Sequence, residues 1–385
     1  MKSCQLSAVV FFAAVAAVFI GDVHIPQTVP LSVLIALLFV FRLPEVRISR
    51  PLIFLAVVML SGFMNLVLSG SYDAERDFVI YLPVVYALFI LLMAGGFEYD
   101  EKLHDAFVAG GVVLCCWVFW EFAFVADNPV HYYQLKLTAE TPLGRSNYLA
   151  AFLGFLLLVS TFRARWLLVL VVPAFVLTLS RTGMVLVVAF VLLRFMLVRR
   201  YALPTVMVAL VAGGLAYHFA ERIYQLPDIV QEGLLGSESL TIRVSAWLAT
   251  MDIARDNLLF GIPRGAYRDA LESAVPGQNL WDPHNSILHV LVSFGLVGLL
   301  FYLAYVVTIW GEIYRASRSS RFWRGACWGY SLILVWSLFE PLLLTPAIEL
   351  LQAYLFIMAR EFNHAEPVAG QAGEYVVVAA PGETR

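Results

Sequence analysis

The sequence predicts an all-α fold, a polytopic membrane helix bundle of about twelve transmembrane helices with one large hydrophilic helical loop. Three observations carry that expectation. Of 385 residues, 61% are hydrophobic and only 14% are charged, against roughly 25% charged in a soluble domain. The apolar residues fall in runs long enough to cross a bilayer, which takes about 20 residues for an upright helix. One polar stretch, residues 221–285, interrupts these runs and ends at His284, at the mouth of the next apolar run.

Taken in order, the expected spans before the loop are Leu6–Ile20, Val29–Phe41, Leu52–Leu68, Phe78–Met93, Ala106–Ala126, Tyr148–Phe162, Trp166–Leu179, Gly183–Val198 and Leu203–Ala220. After the loop come Ser286–Trp310, Trp323–Phe339 and Ala347–Met358. Residues 1–220 therefore hold nine spans, 221–285 the loop with its amphipathic helices, 286–360 three further spans, and 361–385 a disordered tail rich in Ala, Gly, Pro and Glu. The first apolar run reads as an uncleaved helix rather than a signal peptide, because the topology requires it. The break at Ser180-Arg181-Thr182-Gly183 separates the seventh and eighth spans. A single bent helix there would invert everything downstream.

Charge placement decides the orientation. With both termini in the cytoplasm, the cluster Arg315, Arg318, Arg321 and Arg324 lies inside, and the short outer segments keep only Arg76, Lys136, Arg145 and Arg181. The long loop then faces outward. The net charge of -3 says little beside this distribution. The four cysteines, Cys4, Cys115, Cys116 and Cys327, form no CxxC pair and read as small apolar residues. Neither a disulfide framework nor a zinc site is indicated, and nothing points to nucleic acid.

Arg145, Arg181, Arg243 and His284 all fall on the outer side near span boundaries. Arginine near hydrocarbon costs roughly 2.5–3.5 kcal/mol on insertion scales. Several converging there suit a phosphate or diphosphate, whose oxygens match the guanidinium fork. A turn residue snorkelling to headgroups explains Arg181 as well. Arg243 lies on an amphipathic run, capped by Ser237 or Ser239, whose stripe Leu240, Val244, Trp247, Leu248 and Met251 is expected against the membrane or the bundle. Arg243 itself could be a solvated residue or pair with Glu238 or Asp252. His284 precedes a helix that Asn285 or Ser286 can cap, where the helix dipole favours a neutral imidazole able to act as a general base. As a lone residue it is also explained by the interfacial belt. Glu340, before Pro341 at an outer helix end, is a possible site residue that a helix terminus explains equally. There is no HExxH, P-loop, dinucleotide fingerprint or Gly-x-Ser-x-Gly elbow.

The ordered set Ser180-Arg181-Thr182-Gly183, Arg243-Val-Ser-Ala-Trp247, Asp256-Asn-Leu-Leu-Phe-Gly261 with Gly265, and Pro283-His-Asn-Ser-Ile-Leu288 leading into Phe294-Gly-Leu-Val-Gly298 resembles the O-antigen ligase and O-antigen polymerase superfamily. These are bacterial inner-membrane glycosyltransferases of the GT-C type. Gly261-Ile-Pro-Arg-Gly265 departs from the glycine-rich run of many relatives. The resemblance implies a metal-independent, inverting transferase without a cofactor, its active site facing the periplasm. The implied donor is a glycan on undecaprenyl diphosphate, and the implied acceptor is the lipid A–core of lipopolysaccharide, both met among membrane lipids. It implies His284 as the base and Arg181, Arg243 and, less directly, Arg145 as diphosphate contacts. A polymerase with the same donor is the neighbouring alternative. A protein O-oligosaccharyltransferase or a transporter of lipid-linked glycans fits less well.

Overall fold

Apolar runs facing lipid fold as helices because a helix satisfies its own backbone donors and acceptors where water cannot. The computed structural model describes residues 48–70, 74–92, 99, 101–124, 146–178, 180–197, 237–276 and 282–365. The helices are α1 (Arg50–Ser69), α2 (Ala74–Leu92), α3 (Lys102–Phe124), α4 (Ser146–Phe162), α5 (Leu168–Leu177, entered through a 3₁₀ turn at Arg165–Leu167) and α6 (Arg181–Met196). The second half gives α7 (Ser237–Asp256), α8 (Arg264–Ala274), α9 (Ser286–Ala316), α10 (Arg321–Trp336) and α11 (Pro346–Ala365). No strand occurs among the described residues.

The structure is all-α, and α1 and α9 are long and apolar enough to cross a membrane. The other apolar helices are shorter. The expected spans Leu6–Ile20, Val29–Phe41 and Leu203–Ala220 lie outside the described residues, as does the tail beyond Ala365. Two boundaries move. The chain breaks between Leu177 and Arg181, so α5 and α6 are separate helices and not one bent helix. Helix α11 runs past Met358 to Ala365 because Phe362 is buried and Asn363 donates to the Glu312 carbonyl at 3.1 Å. The expected tail therefore starts later than residue 361.

Close helix packing rests on small residues. Helix α10 lies along α4, where a Cβ on Gly325 would meet the Val159 backbone at 2.7 Å and one on Gly329 the Phe155 ring at 2.6 Å. Helix α9 packs on α1 and α11, and α11 on α2. Ile53, Phe63, Val169, Val185, Leu300 and Val307 are large, apolar and exposed, an outer surface that calls for lipid.

The two ends of the bundle differ. At one end lie the C-terminus of α10 and the N-termini of α4, α6 and α9, joined by polar side chains. At the other, Arg194 donates to Thr161 at the end of α4, and Arg315, Arg318, Arg321 and Arg324 crowd the turn between α9 and α10.

Helix α9 is broken. Gly295 adopts φ 65 and ψ -171, which frees backbone groups inside an apolar helix. Five of them have partners outside the helix. Asn65 and Ser61 of α1, one turn apart, donate to the carbonyls of Ser293 (2.9 Å) and Phe294 (2.6 Å). Beyond the break, Leu296 N–H donates to Leu258 O at 2.7 Å and Val297 N–H to Leu259 O at 3.3 Å, while Ile262 N–H donates to Val292 O at 2.8 Å. The turn after α7 is thus sewn into the break. Side chains cannot enter there: a Cβ on Gly295 would sit 2.2 Å from Leu259 O, and one on Gly261 (φ 77) 2.4 Å from Val292 O. This explains one glycine, Gly261 or Gly295, in each of two of the four quoted motifs. Helices α7 and α8 add a small core of Ala246, Tyr267, Leu271 and Val292 above the break.

Candidate active site

His284 is placed by the residues around it. Asp282 Oδ1 accepts the His284 backbone N–H at 2.8 Å, closing a short turn that holds His284 at φ 49. Asn285 then caps α9, its Oδ1 accepting from Ile287 N (2.9 Å) and Leu288 N (3.1 Å). Its amide donates to Leu338 O at 2.9 Å. The next residue completes the attachment. Ser286 N–H donates to Ser337 O at 2.8 Å, and its hydroxyl donates to Glu340 O at 3.0 Å while accepting from Leu343 N–H at 3.1 Å. The start of α9 is therefore fastened to the connection between α10 and α11, which delivers Glu340.

Glu340 is the hub. Its side chain is 5% exposed, and Oε1 accepts from Arg243 Nη2 at 2.5 Å and from Asn147 Nδ2 at 2.8 Å. Oε2 points to His284, 3.6 Å from Nδ1. Arg243 also donates through Nη1 to Phe339 O at 2.8 Å. Asn147 Oδ1 accepts from the Ser180 hydroxyl at 2.8 Å, and Ser180 Oγ accepts from Gly183 N–H at 3.2 Å. Gly183 has to be glycine, because a Cβ would meet the Trp336 ring at 2.3 Å. A single polar chain thus runs from the first turn of α6 through α4 and the α10–α11 connection to α7 and the head of α9.

The electrostatics of His284 differ from the expectation of a dipole-neutralised ring. Burial by itself lowers its pKa. The Glu340 carboxylate and Asp282, whose Oδ1 is also 3.6 Å from Nδ1, outweigh burial and the opposing Arg243, and the net shift is upward. Two carboxylates within 4 Å act more strongly than a partial helix charge. At 3.6 Å neither contact is a hydrogen bond, and the buried Nδ1 has no hydrogen-bond partner among the described residues. Nε2 is the ring nitrogen left for another molecule.

The other expected residues are placed as follows. Arg181 opens α6, one residue from Ser180 and so beside the polar chain. Arg145 lies outside the described residues, next to Ser146 at the start of α4. The terminal nitrogens of Arg243 go to Phe339 and Glu340, while Asp252 is held by Arg255 at 2.7 Å. Of the two surfaces open to the stripe on α7, the bundle is not the one its larger apolar residues face. Val244, Leu248 and Met251 are exposed, whereas Ala246, Thr250 and Ala254 are buried, with Thr250 bonded to the Tyr267 hydroxyl at 2.8 Å. Small residues face the bundle because helix α7 lies close against α9. Sequence reasoning weighed Glu340 as a possible site residue that a helix end explains equally, and gave Asn147 and Ser180 no role of their own. The signal available was a carboxylate before a proline at the outer end of an apolar run, which is weak alone.

Residues 166–303 match the family model of the O-antigen ligases. That segment contains Arg181, Arg243 and His284, together with both halves of the sewn break, Gly261 and Gly295. A search among curated proteins gave no match. Over that segment the chain is similar to the O-antigen ligases.

Proposed function

We propose that this protein is an O-antigen ligase, moving a glycan from undecaprenyl diphosphate to a sugar hydroxyl of lipid A–core at the periplasmic face of the bacterial inner membrane. The observation that carries the reading is the Arg243–Glu340–His284 constellation at the polar end of the bundle, inside and beside the matched domain. The arginine-rich opposite end supports a cytoplasmic placement for that end.

In the proposed reaction, His284 Nε2 takes the proton of the acceptor hydroxyl as its oxygen attacks the anomeric carbon. The bond from that carbon to the diphosphate oxygen breaks on the opposite face, and its electron pair leaves with undecaprenyl diphosphate. The anomeric configuration is inverted. Arginine supplies the charge compensation, without a metal or cofactor. Arg243 spends two of its N–H groups on Phe339 and Glu340, and the guanidinium has five, so three remain for diphosphate oxygens. Arg181 at the head of α6, and Arg145 just before α4, complete the proposed donor contacts.

The test is transfer by purified protein from a defined undecaprenyl-diphosphate glycan to lipid A–core, in the presence of a chelator. His284→Ala is expected to lower the rate by about 10²–10⁴, the usual worth of a general base. Wild-type turnover in that variant would remove His284 from the chemistry. Arg181→Ala tests donor contact more cleanly than Arg243→Ala, which also strips Glu340 of its partner. A product with glycan joined to a second carrier-linked glycan, and none on lipid A–core, would identify a polymerase.

A further inference from the structure

We propose that Glu340 is the positioning residue of this site: its carboxylate, fixed by Arg243 and Asn147, receives the Nδ1–H of His284 and so leaves Nε2 as the base. The inference rests on the reading of His284 as the base. Three observations support it. The His284 Nδ1 atom is buried and lacks a hydrogen-bond partner among the described residues, and an orphaned polar atom of that kind calls for one. Two carboxylate oxygens lie at the same 3.6 Å from it. They are not equivalent. The Asp282 oxygen is Oδ1, already accepting the His284 backbone N–H at 2.8 Å. In Glu340 both side-chain hydrogen bonds from the described residues fall on Oε1, and Oε2, the atom facing the ring, takes none among them.

The scaffold around Glu340 suits the role. Arg243 and Asn147 approach Oε1 from α7 and α4, and the Glu340 carbonyl is held by the Ser286 hydroxyl, two residues beyond His284. The carboxylate and the imidazole are therefore mounted on the same fastening. A shift of less than 1 Å brings Oε2 and Nδ1 into hydrogen-bond range. A proton retained on Nδ1 obliges the ring to accept at Nε2, and the carboxylate stabilises the imidazolium formed when the acceptor proton arrives. The proton moves from acceptor oxygen to Nε2 only; Glu340 remains ionised throughout. Among the described residues, the charged groups facing the ring are Glu340, Asp282 and Arg243.

Glu340→Gln is the informative change. Arg243 and Asn147 both donate toward Oε1, so a glutamine turns its carbonyl oxygen to them and its NH₂ to His284. Nδ1 is then forced to accept, the proton moves to Nε2, and the base is lost. A comparable wrong-tautomer substitution in a serine protease triad lowers kcat about 10⁴-fold. We expect Glu340→Gln to lower kcat by roughly 10²–10⁴ with donor KM little changed, and Glu340→Asp to recover part of it. In donor-free protein carrying ring-labelled histidine, the His284 titration should move to lower pH in Glu340→Gln. Wild-type kcat in Glu340→Gln, or an unmoved His284 titration, overturns the proposal. Failure of the underlying reading shows separately, as full turnover in His284→Ala.

Discussion

At the scale of single residues, the site is decided by what His284 touches. Its pKa is displaced upward by Glu340 and Asp282 against burial, and in the proposed role of base it works only when deprotonated. The sign is therefore fixed: kcat/KM should rise with pH through an acid limb whose midpoint lies above the ordinary histidine value of about 6.5. A pH–rate profile measured with saturating acceptor checks this, and a midpoint below 6.5 would contradict the geometry. Sequence alone pointed to His284 and to the Asn285 cap, since both depend on neighbours within a few positions. It could not promote Glu340, because that carboxylate acquires its partners from Asn147 and Arg243, far away along the chain. Asn147 and Glu340 also lie outside the residues 166–303 that match the family model. For Arg243 the sequence suggested helical neighbours as ion-pair partners. A tertiary partner with 5% exposure won instead.

At the scale of elements, the break in α9 is the feature that sequence periodicity hides. An isolated glycine in an apolar run reads as a tolerated helical residue, and only the facing turn shows why Gly295 adopts φ 65. Gly295→Ala combines a left-handed backbone, costing about 1–3 kcal/mol, with a contact of 2.2 Å to Leu259 O. It should destabilise the protein by at least about 2 kcal/mol. Gly311→Ala in the same helix meets nothing within 4 Å and should be neutral or stabilising by roughly 0.5–1 kcal/mol. Thermal unfolding in detergent distinguishes the two, and equal melting would refute the account of the break. The positions of the described apolar helices were legible because apolar length is a strong signal. The inward face of α7 was not, because its packing surface is made of Ala246, Thr250 and Ala254 and its larger apolar residues point outward.

For the whole molecule, the separation of a polar end from an arginine-rich end makes a prediction about sidedness. In a cysteine-free background, Ser273→Cys in α8 should react with a membrane-impermeant maleimide in intact spheroplasts. Ser319→Cys, in the turn between α9 and α10, should react only after permeabilisation. The reverse pattern would invert the proposed topology. Both positions are exposed, so access across the membrane and not burial controls the outcome. Charge asymmetry along the chain was enough to suggest this arrangement. What it could not suggest is how the hydrophilic segment attaches to the bundle, because three backbone hydrogen bonds join its turn to α9 and backbone bonds leave little trace in side-chain pattern. At about 1 kcal/mol each, those bonds make the turn and the first part of α9 a single stiff body, and His284 stands at its tip. A glycan bulky enough to push the turn aside would carry the base with it. Under the proposed function, an ill-fitting donor glycan should therefore lose turnover before it loses affinity.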